Sequence, residues 1–223
     1  MTESAEGGDP GDGSPLRPPS RLALVGEARI VGEWPAMRVA LPRLRRRAPR
    51  GDGGPMLVAP GFAADDSWTV SLRGFLGDIG HDARGWGLGR NHGRVQVLVP
   101  ELGERVAALA EAAGRRVRLV GWSLGGYLVR EVARERPELV ERVVTLGAPV
   151  VGGPRYTASA PVYLRKGYDL EAVEAQVAAR EAEPITVPVE AVYSRSDGVV
   201  AWRACVDHVT PRVRHHEVRS SHL

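Results

Sequence analysis

The segment Val117-Arg118-Leu119-Val120-Gly121-Trp122-Ser123-Leu124-Gly125-Gly126-Tyr127 constrains this chain more than any other. A short apolar strand runs into Gly-x-Ser-x-Gly, and a helical stretch, 124–136, follows. A serine at such a junction sits on a strained turn that aims its oxygen out of the end of a sheet. Side chains two positions away on either side would clash, hence the glycines. Gly126 further permits close approach of helix and sheet. In a chain with 27 glycines the pattern arises easily by chance, so the strand–turn–helix setting carries the weight. The bland alternative is a tight turn whose serine caps the helix amides.

The surrounding rhythm fits that setting. Met56–Ala59 reads as a strand, and Asp65/Asp66 open a helix carrying Trp68, Val70, Leu72, Phe75 and Leu76. His81–Trp86 is a weaker, polar strand. Pro100–Ala113 is a helix with Leu102, Val106 and Leu109 on one face and Gly114 as its stop. Strands follow at Arg116–Gly121, Arg142–Leu146, Val187–Tyr193 and Val213–Val218. Tyr168–Glu181 and Val199–His208 read as helical, and 149–167 as irregular. Strands alternating with helices predict an α/β protein with about six strands. The sheet should be mostly parallel, with helices on both faces.

Upstream, residues 1–20 are rich in Gly, Pro, Asp and Ser and read as a disordered tail. Residues 21–41 carry apolar residues at helical spacing, interrupted by Pro35 and Pro42, which predicts one kinked helix or two short ones. An arginine run, Arg43 to Arg50, completes an N-terminal segment 21–50 ahead of a domain over 51–223. Two readings of that run stand side by side. It is a solvated helix end and linker, or it rests peripherally on anionic lipid. Nucleic acid is excluded as a partner, because no aromatic residues interleave with the arginines and the net charge is only +3. The single cysteine, Cys205, rules out an internal disulfide framework and a cysteine-rich zinc site. No apolar stretch is long enough for a membrane span, and no secretory signal is visible, so a cytoplasmic setting is expected.

A nucleophilic serine needs a base to take its proton and an acid to orient that base. On this architecture they should follow Ser123 in the order acid, then histidine, each just past a later strand. Asp197 lies in the turn after Val187–Tyr193. His222 lies in the loop after the last strand. Each alone reads as an Asp-Gly turn or an exposed terminal histidine; the order and placement of all three argue for a site. Of the other histidines, His215 and His216 are adjacent in a strand and point to opposite faces. His208 belongs to the preceding helix or turn, and His81 and His92 precede the serine. The oxyanion donors expected are the N–H of Leu124, at the start of a helix, and the N–H of Phe62, in the loop after the first strand. Gly85-x-Gly87-x-Gly89 lacks the lysine and spacing of a nucleotide loop and reads as a rim of the cleft, fixed by Arg90 and Asn91.

Several short blocks now stand in register. They are Ala59-Pro60-Gly61-Phe62, Gly85–Asn91, Gly121–Gly126, Thr145-Leu146-Gly147-Ala148-Pro149, Tyr193–Val200 and Ser221-His222-Leu223. From about residue 50 onward the chain resembles the α/β-hydrolase superfamily, and within it small bacterial lipase/esterase-like proteins. That resemblance implies hydrolysis of a small-molecule or lipid carboxylic ester through an acyl-serine intermediate, with no metal or organic cofactor. It also implies a short lid or pocket wall over 149–184. Val150, Val151, Tyr156, Val162, Tyr163 and Leu164 of that stretch, with Phe62, Leu124 and Trp202, are candidates for an apolar acyl pocket. Such hydrolases usually carry further chain after the histidine, so fraying of His222 beside Leu223 is expected. The same triad would serve an acyltransferase or thioesterase, and a non-catalytic lipid- or partner-binding protein could share the fold.

Overall fold

Leu57 and Ala59 face one side of a sheet, Met56 and Val58 the other, and all four are buried. A strand covered on both sides needs helices on both sides, and the rest of the chain supplies them. The computed structural model describes residues 16–222; the expected tail falls, for residues 1–15, outside the described residues.

The strands are β1 (Pro55–Ala59), β2 (Asp82–Gly85), β3 (Val117–Trp122), β4 (Val140–Leu146), β5 (Val189–Tyr193) and β6 (Val213–Glu217). They form one sheet in the order β2-β1-β3-β4-β5-β6, every pairing parallel. The helices are α1 (Arg21–Gly26), α2 (Ile30–Arg47), α3 (Val70–Asp78), α4 (Val95–Ala113), α5 (Leu124–Glu135), α6 (Ala160–Arg165) and α7 (Leu170–Glu181). Leu98, Leu102 and Val106 of α4, with Leu128, Val129 and Val132 of α5, pack on the face carrying Leu57, Leu119, Val143 and Val189. Leu72 and Leu76 of α3 cover Met56, Val58 and Val120 on the opposite face. The polar sequences of β2 (Asp-Ala-Arg-Gly) and β6 (Val-Arg-His-His-Glu) follow from their edge positions, where charge discourages pairing with another chain.

The strand order decides where a site can form. From β1 the chain passes out to β2 on one side, then returns across β1 to β3 on the other. The loops leaving the carboxyl ends of β1 and β3 therefore diverge, and a crevice opens between them. Phe62 and Ser123 lie in those two loops.

Five expectations shift in detail. The stretch 149–167, expected to be irregular, holds the short helix α6. Helix α4 begins at Val95, one turn before Pro100, because the ring costs a single intrahelical bond while Leu98 and Val99 gain core contact. The break between α1 and α2 is a 3-10 turn at Glu27–Arg29, and both prolines lie inside α2. Because α2 buries no side chain, water can take the carbonyls that Pro35 and Pro42 leave without donors. The arginine run forms the last turns of α2 rather than following it. Of Val199–His208 only a 3-10 turn, Trp202–Cys205, is helical. The N–H groups of Val199 and Val200 bond to Asp197, and Val200 bridges to Thr157, so that stretch is already committed to other partners.

Candidate active site

Ser123 leaves β3 with φ 54° and ψ −126°, a conformation costly for any residue with a Cβ. Its N–H donates to the Leu146 carbonyl at 2.8 Å, and its own carbonyl accepts the Gly126 N–H at 2.9 Å. A Cβ on Gly121 would strike the backbone of Gly125 and Gly126. One on Gly125 would strike the carbonyls of Ala59 and Pro60, and one on Gly126 the Ala148 side chain. The glycines are thus required by packing on three sides of the serine. The Ser123 side chain makes no cap to α5, which removes the bland reading of the motif.

His222 and Asp197 meet. His222 Nδ1 lies 2.7 Å from Asp197 Oδ2, with side chains only 2% and 3% exposed. The other carboxylate oxygen accepts the N–H groups of Val199 and Val200, each at 2.8 Å. An acid fixed in this way holds the imidazole proton on Nδ1 and leaves Nε2 as an acceptor. The carbonyl of His222 accepts the Trp122 indole N–H at 3.0 Å. Gly147, at φ 55°, makes room for the pair: a Cβ there would lie 3.0 Å from His222 Nδ1 and 3.2 Å from Asp197 Oδ2. His222 is thus buried rather than frayed. Ser123 and His222 border one cavity, without a hydrogen bond between them among the described residues.

Of the remaining histidines His208 does not line that cavity, and four are engaged elsewhere. His215 Nε2 accepts the Asp207 N–H at 3.1 Å, and His216 Nε2 lies 2.6 Å from Glu190. His81 lies 3.3 Å from Arg118, and His92 accepts the Arg94 N–H.

Phe62 and Leu124 border the same cavity as Ser123. Leu124 begins α5, so its N–H has no intrahelical acceptor. The loop carrying Phe62 abuts the serine, because a Cβ on Gly61 would lie 3.1 Å from Ser123 Cβ. That loop is held by its neighbour. Ala63 N–H donates to the Asn91 carbonyl and Asn91 N–H to the Ala64 carbonyl, both at 2.8 Å. The buried Asn91 side chain donates to Pro60 and Arg90 Nε donates to Ala63.

The cavity holds about 230 Å³, and Phe62, Tyr163, Tyr168, Val173 and Val177 form much of its apolar wall. Burial pushes the Tyr163 hydroxyl pKa up. Val150, Val151, Tyr156, Val162, Leu164 and Trp202 do not line it. Helix α6 turns Tyr163 inward and leaves Leu164 exposed. Tyr156 donates to Glu174, and Trp202 stacks on Tyr193 at 5.8 Å. Val150 is buried and bonded to the Ala204 carbonyl. Among the described residues no group of His, Cys, Asp and Glu is arranged to hold a metal ion.

Three residues that sequence reasoning passed over also reach this site: Glu27, Arg29 and Glu33, which hydrogen-bond to the loops carrying Asp197 and His222. Sequence separations of 167–195 residues leave no local signal for such contacts.

No protein-family model matches the chain. A 105-residue stretch is 34% identical to pyrrolizixenacetamide deacetylase of Xenorhabdus hominickii, covering 44% of this chain and 38% of that protein's length. Among solved structures, alpha/beta hydrolase domain-containing protein 10 from mouse superposes with a TM-score of 0.54 at 19% identity, over 78% of this chain and 84% of that one. A monoacylglycerol lipase from Paleococcus ferrophilus superposes with a TM-score of 0.57 at 16% identity, over 79% and 88%.

Proposed function

The chain has the α/β-hydrolase fold, and we propose that it is a serine hydrolase cleaving carboxylic esters through an acyl-serine intermediate. The observation that carries this is the buried Asp197–His222 pair, bonded at 2.7 Å, whose histidine borders the same cavity as a strained Ser123.

In this reading, substrate binding brings Ser123 Oγ within reach of His222 Nε2, a contact that is often loose before substrate is present. The Oγ attacks the ester carbonyl carbon while Nε2 takes its proton. The carbonyl oxygen becomes an oxyanion facing the N–H groups of Phe62 and Leu124. Collapse breaks the bond to the leaving oxygen, which receives the proton from the imidazolium. Water, deprotonated by the same Nε2, then attacks the acyl-serine; the acid is released and Ser123 regains its proton. Asp197 keeps the ring in the productive tautomer and stabilises its positive form.

Labelling with a fluorophosphonate tests the reading. Folded wild type should label and Ser123→Ala should not; an unlabelled wild type overturns it and favours a binding protein. Turnover of p-nitrophenyl esters with an added alcohol separates hydrolase from acyltransferase, since a transferase would form the new ester in preference to the acid. Matched oxygen esters and thioesters separate esterase from thioesterase. The deacetylase relative adds an acetylated amide to the substrate panel.

Peripheral contact with anionic lipid through residues 21–50 is a second reading. It draws support from exposed apolar side chains, Leu22, Val31 and Val39, on a segment that ends in arginines. No helix among the described residues is long and apolar enough to cross a membrane. Replacing Leu22, Val31 and Val39 together by serine should reduce co-sedimentation with phosphatidylglycerol vesicles; equal binding removes the idea.

A further inference from the structure

We infer that Glu27 is a positioning residue for the Asp197–His222 pair, an inference that rests on the serine-hydrolase reading above. Its carboxylate is buried, and its two oxygens divide between the two loops of the pair. Oε1 accepts the N–H of Gly198 at 2.6 Å, and Oε2 accepts the N–H of His222 itself at 2.7 Å. One side chain thus bridges the residue after the acid to the base. Hydrogen bonds from N–H to an ionised carboxylate are among the strong ones, and burial removes water as a competitor.

The rest of the N-terminal segment repeats the clamp. Arg29 donates to the carbonyl of Ser196 at 2.5 Å and of Ser220 at 3.2 Å, again one contact to each loop. Glu33 accepts the N–H of Ser221 at 3.1 Å and its hydroxyl, and pairs with Arg29 at 3.3 Å. Those contacts, the Ser221 hydroxyl first, hold the Glu33 carboxyl below its ordinary pKa. Helix α1 lies directly over the acid's turn, for a Cβ on Gly198 would collide with the Ala23 carbonyl.

The His222 loop is held mainly by hydrogen bonds: Val218 is 40% exposed, Ser220 is tied to the Ser194 hydroxyl, and the His222 carbonyl accepts from Trp122. An imidazole misplaced by about 1 Å can lower turnover about 100-fold, so the backbone of the base must be held as firmly as its ring. Glu27 does not line the cavity, so it acts on the base and not on substrate binding.

The test uses the full chain with Glu27→Gln, which keeps the shape but offers one acceptor in place of two, and Glu27→Ala, which offers none. We expect turnover of p-nitrophenyl butyrate to fall about 10-fold and about 100-fold respectively, with KM within twofold of wild type. The fluorophosphonate labelling rate should fall in parallel. The downfield proton resonance of His222 Nδ1–H in NMR spectra should shift or broaden. Glu33→Gln, at a residue whose side chain is 36% exposed and bonds the same loop, serves as the second variant if the Glu27 variants fail to fold. It should slow labelling a few-fold. Unchanged labelling and an unchanged Nδ1–H signal in the folded variants overturn the inference. A wild type that neither labels nor turns over, but whose Nδ1–H signal responds to Glu27→Gln, instead removes the hydrolase reading and leaves the clamp.

Discussion

Trp122 donates its indole N–H to the carbonyl of His222 across 3.0 Å, so the residue before the serine holds the backbone of one a hundred positions later. The two rings lie 5.7 Å apart at 41°, and Trp68 stacks on Trp122 at 6.1 Å. Trp122→Phe would keep most of the ring contact and delete the hydrogen bond. A net hydrogen bond contributes about 0.5–1.5 kcal/mol, so turnover should fall about 2- to 10-fold with a small drop in Tm. Steady-state kinetics beside a thermal melt check this.

Asp197→Asn would place an amide where the carboxylate now accepts a proton from His222 Nδ1. Turned with its oxygen toward the Val199 and Val200 N–H groups, the amide presents N–H to the ring and favours the wrong tautomer. Turnover at pH 7 should fall by about 10³- to 10⁴-fold while circular dichroism stays native. A loss under tenfold would remove Asp197 from its assigned role.

Ser123 pays for its geometry in stability. Its φ of 54° suits glycine, so Ser123→Gly should melt above Ser123→Ala, though neither should hydrolyse ester or accept label. Equal melting temperatures would mean that the turn stores little strain.

Val173 and Val177 of α7 face the cavity, and Val173 is only partly buried. Val173→Phe should cut kcat/KM for p-nitrophenyl octanoate at least tenfold and leave acetate within about threefold, since the added ring fills space that only a longer chain would use. A uniform loss across chain lengths would place the acyl group elsewhere.

Acid sensitivity should trace to Asp207. Burial pushes its carboxyl pKa up, but the Arg130 guanidinium at 2.5 Å and the Thr210 contacts outweigh that and leave it well below the ordinary range. A depressed carboxyl stabilises the fold above its unfolded value, near pH 4, and loses that contribution as pH falls toward the folded value. Asp207→Asn strands a buried guanidinium and should cost about 3–5 kcal/mol at pH 7. Below about pH 4 the gap to wild type should narrow by about 1.4 kcal/mol per pH unit. Urea unfolding at pH 7 and pH 3 measures both, and a constant gap would assign the acid limb to other groups.

What the sequence displayed, and what it concealed, divides by the range of the forces involved. The glycines around Ser123 are legible because their reason is local: the backbone of Gly125 and Gly126 lies against Gly121. The unbroken apolar run of β1 and the spacing of Leu102, Val106 and Leu109 are local too. Chain order after successive strands points to Asp197 and His222, and their side chains lie 2.7 Å apart. The pocket wall was legible only in part, since Tyr163 and Leu164 are neighbours in sequence and only the docking of α6 decides which turns inward. Val199–His208 misled because its preference for helix yields to hydrogen bonds with Asp197 and a bridge to Thr157. Glu27 gave no sign at all, since a lone glutamate among apolar residues reads as solvated until its partners are known.

The bond between Glu27 and His222 spans 195 residues. On a ribosome adding about 5–20 residues per second, the glutamate emerges roughly 10–40 s before the histidine it will hold. Every strand of the sheet is translated within that interval. A nascent chain can therefore assemble most of its scaffold while the clamp stays open, and the Asp197–His222 pair is tied to the first helices only once the loop after β6 has been made.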